Sequence, residues 1–291
     1  MERTVETQKK RSMALEIWRR LRKNKMAMLG LVILVMLALT AIFADVIADY
    51  DTKVIAQDIK NRLQGPSMEH WCGTDEFGRD IFARLVHGSR VSLVVGLISV
   101  SISLLMGGAL GAIAGYYGGR VDNVIMRIMD IFLAVPSILL AMTIVAALGT
   151  SLINVMLAIG VSGIPGYARI VRASVMSIKD QEFVEASRAI GAKSPTTIFR
   201  EILPNCLAPI IVQATLSVAG AILSTASLSF IGLGVQPPSP EWGAMLSDAR
   251  EYMRDSPWMV LAPGLAIMIT SLAFNLLGDG VRDALDPRMK K

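Results

Sequence analysis

The sequence predicts an all-α integral membrane protein with six membrane-spanning helices, and three observations support this fold class. Apolar residues make up 53% of the 291 residues and charged residues only 18%. The mean hydropathy is +0.52, above that of a water-soluble globule of this length. The apolar residues also form long uncharged blocks, with the basic residues collected at their edges.

Each long uncharged run predicts one or two spans, because about 20 apolar helical residues cross the roughly 30 Å hydrocarbon core. The third run is too long for one helix and breaks at 149–151, which predicts a hairpin of two short spans. The fourth run predicts a helix followed by a non-helical tail, since 230–238 is rich in glycine and proline. The runs are 26–44, 91–119, 131–168, 202–240 and 256–278.

The positions of lysine and arginine predict the orientation, because basic loops are retained in the cytoplasm. With six spans and an inner N-terminus, the inner segments hold 21 of the 29 Lys and Arg residues and the outer segments hold 8. Both termini, including the tail 279–291, are therefore expected in the cytoplasm. The two cysteines, Cys72 and Cys206, then lie on opposite sides of the membrane, so no disulfide is expected.

A basic segment, 1–25, precedes the first span, which we place at 26–48. Its apolar residues recur at helical spacing beside four cations, which predicts a short amphipathic helix on the inner membrane surface. A cleaved signal peptide is the alternative, but both the leader and the apolar run exceed signal-peptide lengths. The apolar positions are Ala14, Leu15, Trp18 and Leu21, and the cations are Arg19, Arg20, Arg22 and Lys23.

The outer loop, 49–88, contains a second amphipathic pattern. From Asp75 onward, apolar residues fall on one helical face, which predicts a helix on the outer surface in contact with lipid, with the rest of the chain or with an external protein. The apolar residues are Phe77, Ile81, Phe82, Leu85 and Val86.

Glycines recur every four residues in the second span, at Gly107, Gly111, Gly115 and Gly119. Four positions without side chains on one helix face allow another helix to approach closely. The sequence therefore predicts a packing face, with a neighbour either in this chain or in a partner.

The fifth span is rich in hydroxyl and amide side chains, of which Gln213, Ser217 and Ser224 are candidates for lining a polar pathway. Hydrogen bonding between helices is the alternative. No ionisable residue lies at a span centre, where ion-coupled carriers place one. We therefore expect the energy for any transport to come from outside this chain.

The inner loop, 172–204, is too long and too well patterned for a simple turn. Asp180 can cap a helix whose first turn holds Glu182, and Gly191 can end it in a left-handed conformation. Pro195 can then start a second helix. The loop thus predicts a helix-turn-helix whose apolar side chains are available for docking, namely Phe183, Val184, Ala186 and Ile190.

Glu185, Ala186, Ser187 and Gly191, followed by Ile-Leu-Pro at 202–204, resemble the cytoplasmic EAA loop of permease subunits in binding-protein-dependent ABC importers. The resemblance implies that these four residues form a surface that couples the chain to an ATPase subunit. One departure is Ser187, where the family has alanine, and we expect this exchange of small residues to be tolerated.

Six further segments resemble the dipeptide, oligopeptide and nickel branch of that family, specifically its C-type permease: 73–80, 87–93, 114–119, 126–130, 228–238 and 276–287. The resemblance implies a type I transmembrane core of five helices at 89–278, working by alternating access in a bacterial or archaeal inner membrane. It also implies a heterodimer with a sister permease, two ATPase subunits that bind ATP and Mg²⁺, and an external solute-binding protein. Di- and oligopeptides are the expected substrates, and no cofactor is expected on this chain.

Several alternatives remain open beside this hypothesis. His70, Cys72 and His87 suggest a metal site, and the branch includes nickel carriers, but their spacing is not that of a ligand set; no metal is expected. A Gly-x-Ser-Gly sequence at 160–163 is similar to that of intramembrane proteases, but no histidine lies within a span to serve as base. The sequence also lacks a phosphate-binding loop, so we do not expect this chain to hydrolyse ATP. A passive channel is the alternative from a different class.

Overall fold

The computed structural model describes residues 13–285, and all regular structure within that range is helical. Five of the described helices are long and apolar enough to cross a membrane, and a bent pair brings the number to six. The predicted all-α, multi-span fold class is thus confirmed. In chain order the α-helices are α1 Met13–Leu21, α2 Lys25–Ile42, α3 Ala44–Ile47, α4 Ile81–Tyr117, α5 Gly119–Leu133, α6 Ser137–Leu148, α7 Leu152–Ile178, α8 Glu182–Ala189, α9 Ser194–Thr196, α10 Leu203–Phe230, α11 Trp242–Ala249 and α12 Trp258–Leu285.

The first two helices dock on the end of the last one. The side chain of Asn24 caps α2 by accepting hydrogen bonds from the N–H groups of Met26 and Ala27. In α1, Leu21 is buried against Ala284 near the end of α12, while about half of Trp18 remains exposed. The rest of the predicted N-terminal segment, 1–12, and the end of the predicted tail, 286–291, lie outside the described residues.

Helix α4 is longer than predicted and includes the outer amphipathic pattern. It begins at Ile81, where Asp80 accepts a hydrogen bond from the N–H of Ala83 at 2.8 Å, and runs unbroken for 37 residues. The predicted amphipathic helix is therefore the first part of α4, which runs through the predicted boundary at 88/89, and of its three predicted contacts the structure shows the one with the rest of the chain. The reason is tertiary packing: Ile81 lies in a buried cluster with Trp242 of α11, so the apolar face is covered by the chain itself.

The third uncharged run is divided at two places rather than one. Helix α5 ends at Leu133, and the chain bends by 85° before α6 begins after Pro136. With 12 residues, α6 is about 18 Å long, too short to cross the membrane alone. The predicted break at Gly149, with a φ of +94°, separates α6 from α7 as expected.

Helices α4 and α7 pack with their main chains in contact. Gly107, Gly111 and Gly115 of α4 all face carbonyl oxygens of α7 at four-residue spacing, and a Cβ on any of them would collide with α7. The predicted face therefore packs against a helix of the same chain. The three carbonyls belong to Ile164, Ala168 and Arg172.

Gly119 does not share this face, so the prediction for the fourth glycine is wrong. Helix α4 ends at Tyr117, and Gly118 and Gly119 both have positive φ, +61° and +54°. Nothing lies within 4 Å of the position that a Cβ on Gly119 would occupy. These two glycines turn the chain from α4 into α5, because glycine reaches positive φ without steric cost.

Candidate coupling loop and membrane cavity

The inner loop folds as a short helix followed by a turn. The loop and its helix both begin later in the sequence than predicted. Helix α7 continues to Ile178, so Arg172 lies within the span. Helix α8 begins after Gln181 rather than Asp180, without a side-chain cap. Gly191 has a φ of +88°, the left-handed conformation expected at a helix end.

Helix α8 has one buried side chain that anchors it and an opposite face that is exposed. Val184 is fully buried in a cluster with Val171 and Val175 of α7. Glu185 and Ala186 are exposed, as is Gly191, and Ser187 is half-buried. Glu185, Ala186 and Ser187 therefore share a short helix whose position the core fixes through Val184, and Gly191 lies in the turn that follows it. Of the other residues predicted to dock, Phe183 and Ile190 are exposed by 40% and 87%.

The second half of the loop runs directly into the next span. After Pro195, a π-helical turn at Thr197–Ile202 leads into α10 without interruption. Ile198 and Ile202 are buried in the same cluster as Val184. A displacement of α8 is thereby linked to α10 through one packed cluster and a continuous helix.

Sequence reasoning missed a contact between α8 and the end of α4. The guanidinium carbon of Arg188 lies 5.0 Å from the centre of the Tyr116 ring, within the range of a cation–π interaction. Ser194 and Thr197 lie beside the Tyr116 hydroxyl. Tyr116 therefore touches both halves of the inner loop, a relationship that the spacing of residues along the chain does not reveal.

Two ion pairs join α5 to α7 near the same end. Arg169 donates to Asp130 at 2.7 Å, and Arg172 makes two hydrogen bonds to the carboxylate of Asp122, the second at 2.6 Å. Paired hydrogen bonds of this kind fix both distance and orientation. Together with the glycine face, they hold α4, α5 and α7 as one unit beneath α8.

A cavity of about 150 Å³ lies between α4, α6, α7 and α10. Two predicted pathway residues, Ser217 and Ser224, line it. Gln213 lies outside the lining, but its amide donates a hydrogen bond to the Ser217 hydroxyl at 3.1 Å. The polar residues that prediction missed come from other helices, since no pattern within α10 points to them; they are Ser99, Ser103, Ser137, Ser162 and Tyr167.

The outer loop and the start of α4 contain the three residues considered as a metal site, His70, Cys72 and His87. His70 contacts the Asp80 carboxylate at 2.8 Å, and His87 Nε2 lies 2.8 Å from the Ala48 carbonyl oxygen. Both imidazoles thus bind other groups of the chain. Among residues 13–285 no group of three or more His, Cys, Asp or Glu side chains is placed to hold a metal ion.

A buried charge cluster lies between the outer loop and α11. Arg79 donates to Asp75 at 2.6 Å, and Arg84 lies 3.6 Å from the same carboxylate. One carboxylate oxygen of Glu76 is buried without a hydrogen-bond partner in the described structure. Burial raises the pKa of both Glu76 and Asp248 above their ordinary values, because it disfavours the charged form.

Comparison with known proteins covers nearly the whole chain. Residues 107–291 match the family described as binding-protein-dependent transport system inner membrane component. Residues 12–66 match the N-terminal TM domain of oligopeptide transport permease C.

Individual relatives are similar over almost their full length. The chain is 53% identical to the dipeptide transport system permease protein DppC of Alkalihalophilus pseudofirmus, over 94% of this chain and 90% of that protein. It is 48% identical to the di/tripeptide transport system permease protein DppC of Pseudomonas aeruginosa, over 94% and 92%. The glutathione transport system permease protein GsiD of Escherichia coli is 47% identical, over 94% and 90%.

Solved structures show the same fold at lower sequence identity. One inward-facing structure of the MetNI methionine ABC transporter has a TM-score of 0.58 and 20% identity, over 71% of this chain and 98% of that chain. Another has a TM-score of 0.55 and 22% identity, over 70% and 97%. Family match, relatives and fold agree: the chain belongs to the inner-membrane permease components of binding-protein-dependent ABC importers, in their dipeptide and oligopeptide branch.

Proposed function

We propose that this permease carries dipeptides and short oligopeptides inward across the cytoplasmic membrane as one half of a heterodimer. The relatives that support this substrate class are named for dipeptide, di/tripeptide and glutathione transport, and glutathione is itself a tripeptide. A sister permease, two ATPase subunits and an external solute-binding protein complete the transporter. ATP and Mg²⁺ bind to the ATPase subunits.

The observation that carries the proposal is the exposed face of α8, anchored by a single buried valine. Glu185 and Ala186 face away from the chain while Val184 holds the helix to α7. An exposed, positioned short helix at the end of a span is suited to fit a groove on another subunit. With α8 on the cytoplasmic side, both termini lie in the cytoplasm and the loop between α3 and α4 faces outward.

The mechanism follows from the connection between α8 and the cavity. When the ATPase subunits close on ATP, they displace α8, and the displacement passes through Ile198 and Ile202 into α10. Helix α10 carries Ser217 and Ser224 in the cavity wall. The ATP-bound and nucleotide-free states of the partners thereby favour different arrangements of the spans, which is the basis of alternating access.

Reconstitution tests the proposal and separates it from its alternatives. The complete transporter is inserted into liposomes loaded with ATP, and a radiolabelled dipeptide is added outside with the binding protein. We expect the dipeptide to accumulate above its outside concentration, and to fail to do so when ADP replaces ATP or when the binding protein is omitted. Equilibration without ATP would indicate the passive channel. Accumulation of nickel but not of dipeptide would indicate the nickel carrier.

A further inference from the structure

The cavity between α4, α6, α7 and α10 is polar without being charged. The polar residues that line it are six serines and Tyr167, and neither a carboxylate nor a cationic side chain contributes to it. A charged group entering such a space would lose hydration without gaining a counter-ion. A neutral group that both donates and accepts hydrogen bonds would find partners.

Several of these serine hydroxyls already donate their hydrogen to the main chain. Ser103 donates to the Gly160 carbonyl at 2.6 Å, Ser162 to the Ala158 carbonyl at 2.6 Å, and Ser99 to the Met156 carbonyl at 3.1 Å. Their oxygens retain lone pairs. These three serines of the cavity wall can therefore accept a hydrogen bond from an N–H group of a bound molecule.

Tyr167 provides the complementary group. Its side chain lines the cavity, and the residue is only 3% exposed. Its hydroxyl has no hydrogen-bond partner in the described part of the chain; Ser217 lies beside it and already accepts from Gln213. A buried hydroxyl without a partner is unfavourable, and a group of this kind in a native structure needs an explanation, which a bound substrate group supplies.

We infer that Tyr167 and the serines around it bind the peptide bond of the substrate during passage, with Tyr167 donating to its carbonyl oxygen and the serines accepting from its N–H. The inference rests on the proposed function and adds the part of the substrate that is recognised. A volume of about 150 Å³ is smaller than the 300–1,000 Å³ of sites for whole ligands. The cavity therefore holds one peptide unit, and the charged ends of the substrate lie toward the sister permease.

The test compares a dipeptide with its thioxo analogue, in which sulfur replaces the peptide carbonyl oxygen and accepts hydrogen bonds more weakly. Maximal uptake of each is measured in liposomes with the native transporter and with the Tyr167→Phe variant, at saturating binding protein. The control is Tyr252→Phe, the same change at the outer surface. Because the binding protein is common to all three, its own preference cancels in the comparison.

We expect Tyr167→Phe to slow dipeptide uptake about fivefold, the effect of one lost hydrogen bond, and to abolish the native preference for the dipeptide over its analogue. Tyr252→Phe should keep both the rate and the preference. An unchanged preference in Tyr167→Phe would overturn the inference, and so would an equal fall in uptake and ATP hydrolysis, which would place the hydroxyl in the conformational cycle. If the native transporter accumulates neither peptide, the proposed function itself fails.

Discussion

Gly111 of α4 packs directly against the carbonyl oxygen of Ala168 in α7, leaving no space for a Cβ atom. The same approach is repeated one turn away on each side, at Gly107 and Gly115. Main-chain contact of this kind replaces the hydrophobic driving force that is absent between helices in lipid. The pair α4 and α7 thus forms the rigid part of the permease core.

Substituting Gly111→Ala is expected to destabilise the chain by about 1–3 kcal/mol, because the added methyl group forces the two helices apart. The matched control is Gly108→Ala on the same helix, where the nearest atom would lie 4.0 Å away. That change should be neutral, or stabilising by up to about 1 kcal/mol, since alanine favours helix. Thermal unfolding of the purified variants in detergent distinguishes them, and equal melting temperatures would contradict the packing argument.

Removing the contact between Arg188 and Tyr116 is expected to reduce coupling rather than assembly. In Arg188→Ala, α8 keeps its Val184 anchor but loses its link to the end of α4. We expect the number of peptides imported per ATP hydrolysed to fall several-fold while the ATPase subunits still co-purify. Arg200→Ala, at an exposed arginine of the same loop, is the control and should leave the ratio unchanged. A normal ratio in both variants would show that the contact has no coupling role.

A series of substitutions at Gly191, in the turn after α8, tests whether the backbone conformation of this turn positions α8. A side chain at Gly191 would meet nothing of this chain within 4 Å, so within the permease itself substitution acts through the φ of +88°. Asparagine tolerates positive φ better than alanine does, and a β-branched residue tolerates it least. Uptake by the complete transporter should therefore decrease in the order Gly191, Gly191→Asn, Gly191→Ala, Gly191→Val. An equal rate for all four would mean that the turn does not position α8.

The buried carboxyl groups of Glu76 and Asp248 predict a pH-dependent stability of the outer segment. Because burial raises the pKa of both groups in the folded protein, the folded state binds more protons than the unfolded state at pH values just above the ordinary pKa values. Stability therefore falls as the pH rises from about 4 toward 7. Arg79 and Arg84 face the same cluster and oppose this rise in pKa, whereas the Asp75 carboxylate adds to it.

Glu76→Gln should weaken this dependence and raise the melting temperature at neutral pH. The exposed Glu69→Gln on the same segment should change neither. The measurement is thermal unfolding of each variant across this pH range, and an undiminished slope in Glu76→Gln would show that another group is responsible.

Sequence reasoning succeeded where the signal was local. The uncharged runs predicted the spans because hydropathy is a property of consecutive residues, and Gly191 predicted the end of α8 because only the backbone at that point matters. The structure adds a second break in the third run at Pro136, after a helix that ends at Leu133.

The remaining features depend on contacts between distant parts of the chain. Helix α4 continues through Gly88 because that glycine packs against Trp242 of α11, a partner more than 150 residues away. Tyr167 of α7 lines the cavity beside Ser99 and Ser103 of α4, on the two helices that the glycine face brings together. The sequence predicts that Ser217 and Ser224 of α10 line a polar pathway. The polar residues of α4, α6 and α7 that line the same cavity share no pattern along the chain, so the sequence does not predict them.

The central claim, that the exposed face of α8 joins this permease to its ATPase subunits, is tested most directly by co-purification. The complete transporter is solubilised in mild detergent with the native chain, with Glu185→Lys, or with Glu251→Lys, which makes the same change at an exposed site between α11 and α12. We expect Glu185→Lys to lose most of its ATPase subunits while keeping its sister permease, and Glu251→Lys to retain both. Full recovery of the ATPase subunits with Glu185→Lys would contradict the account.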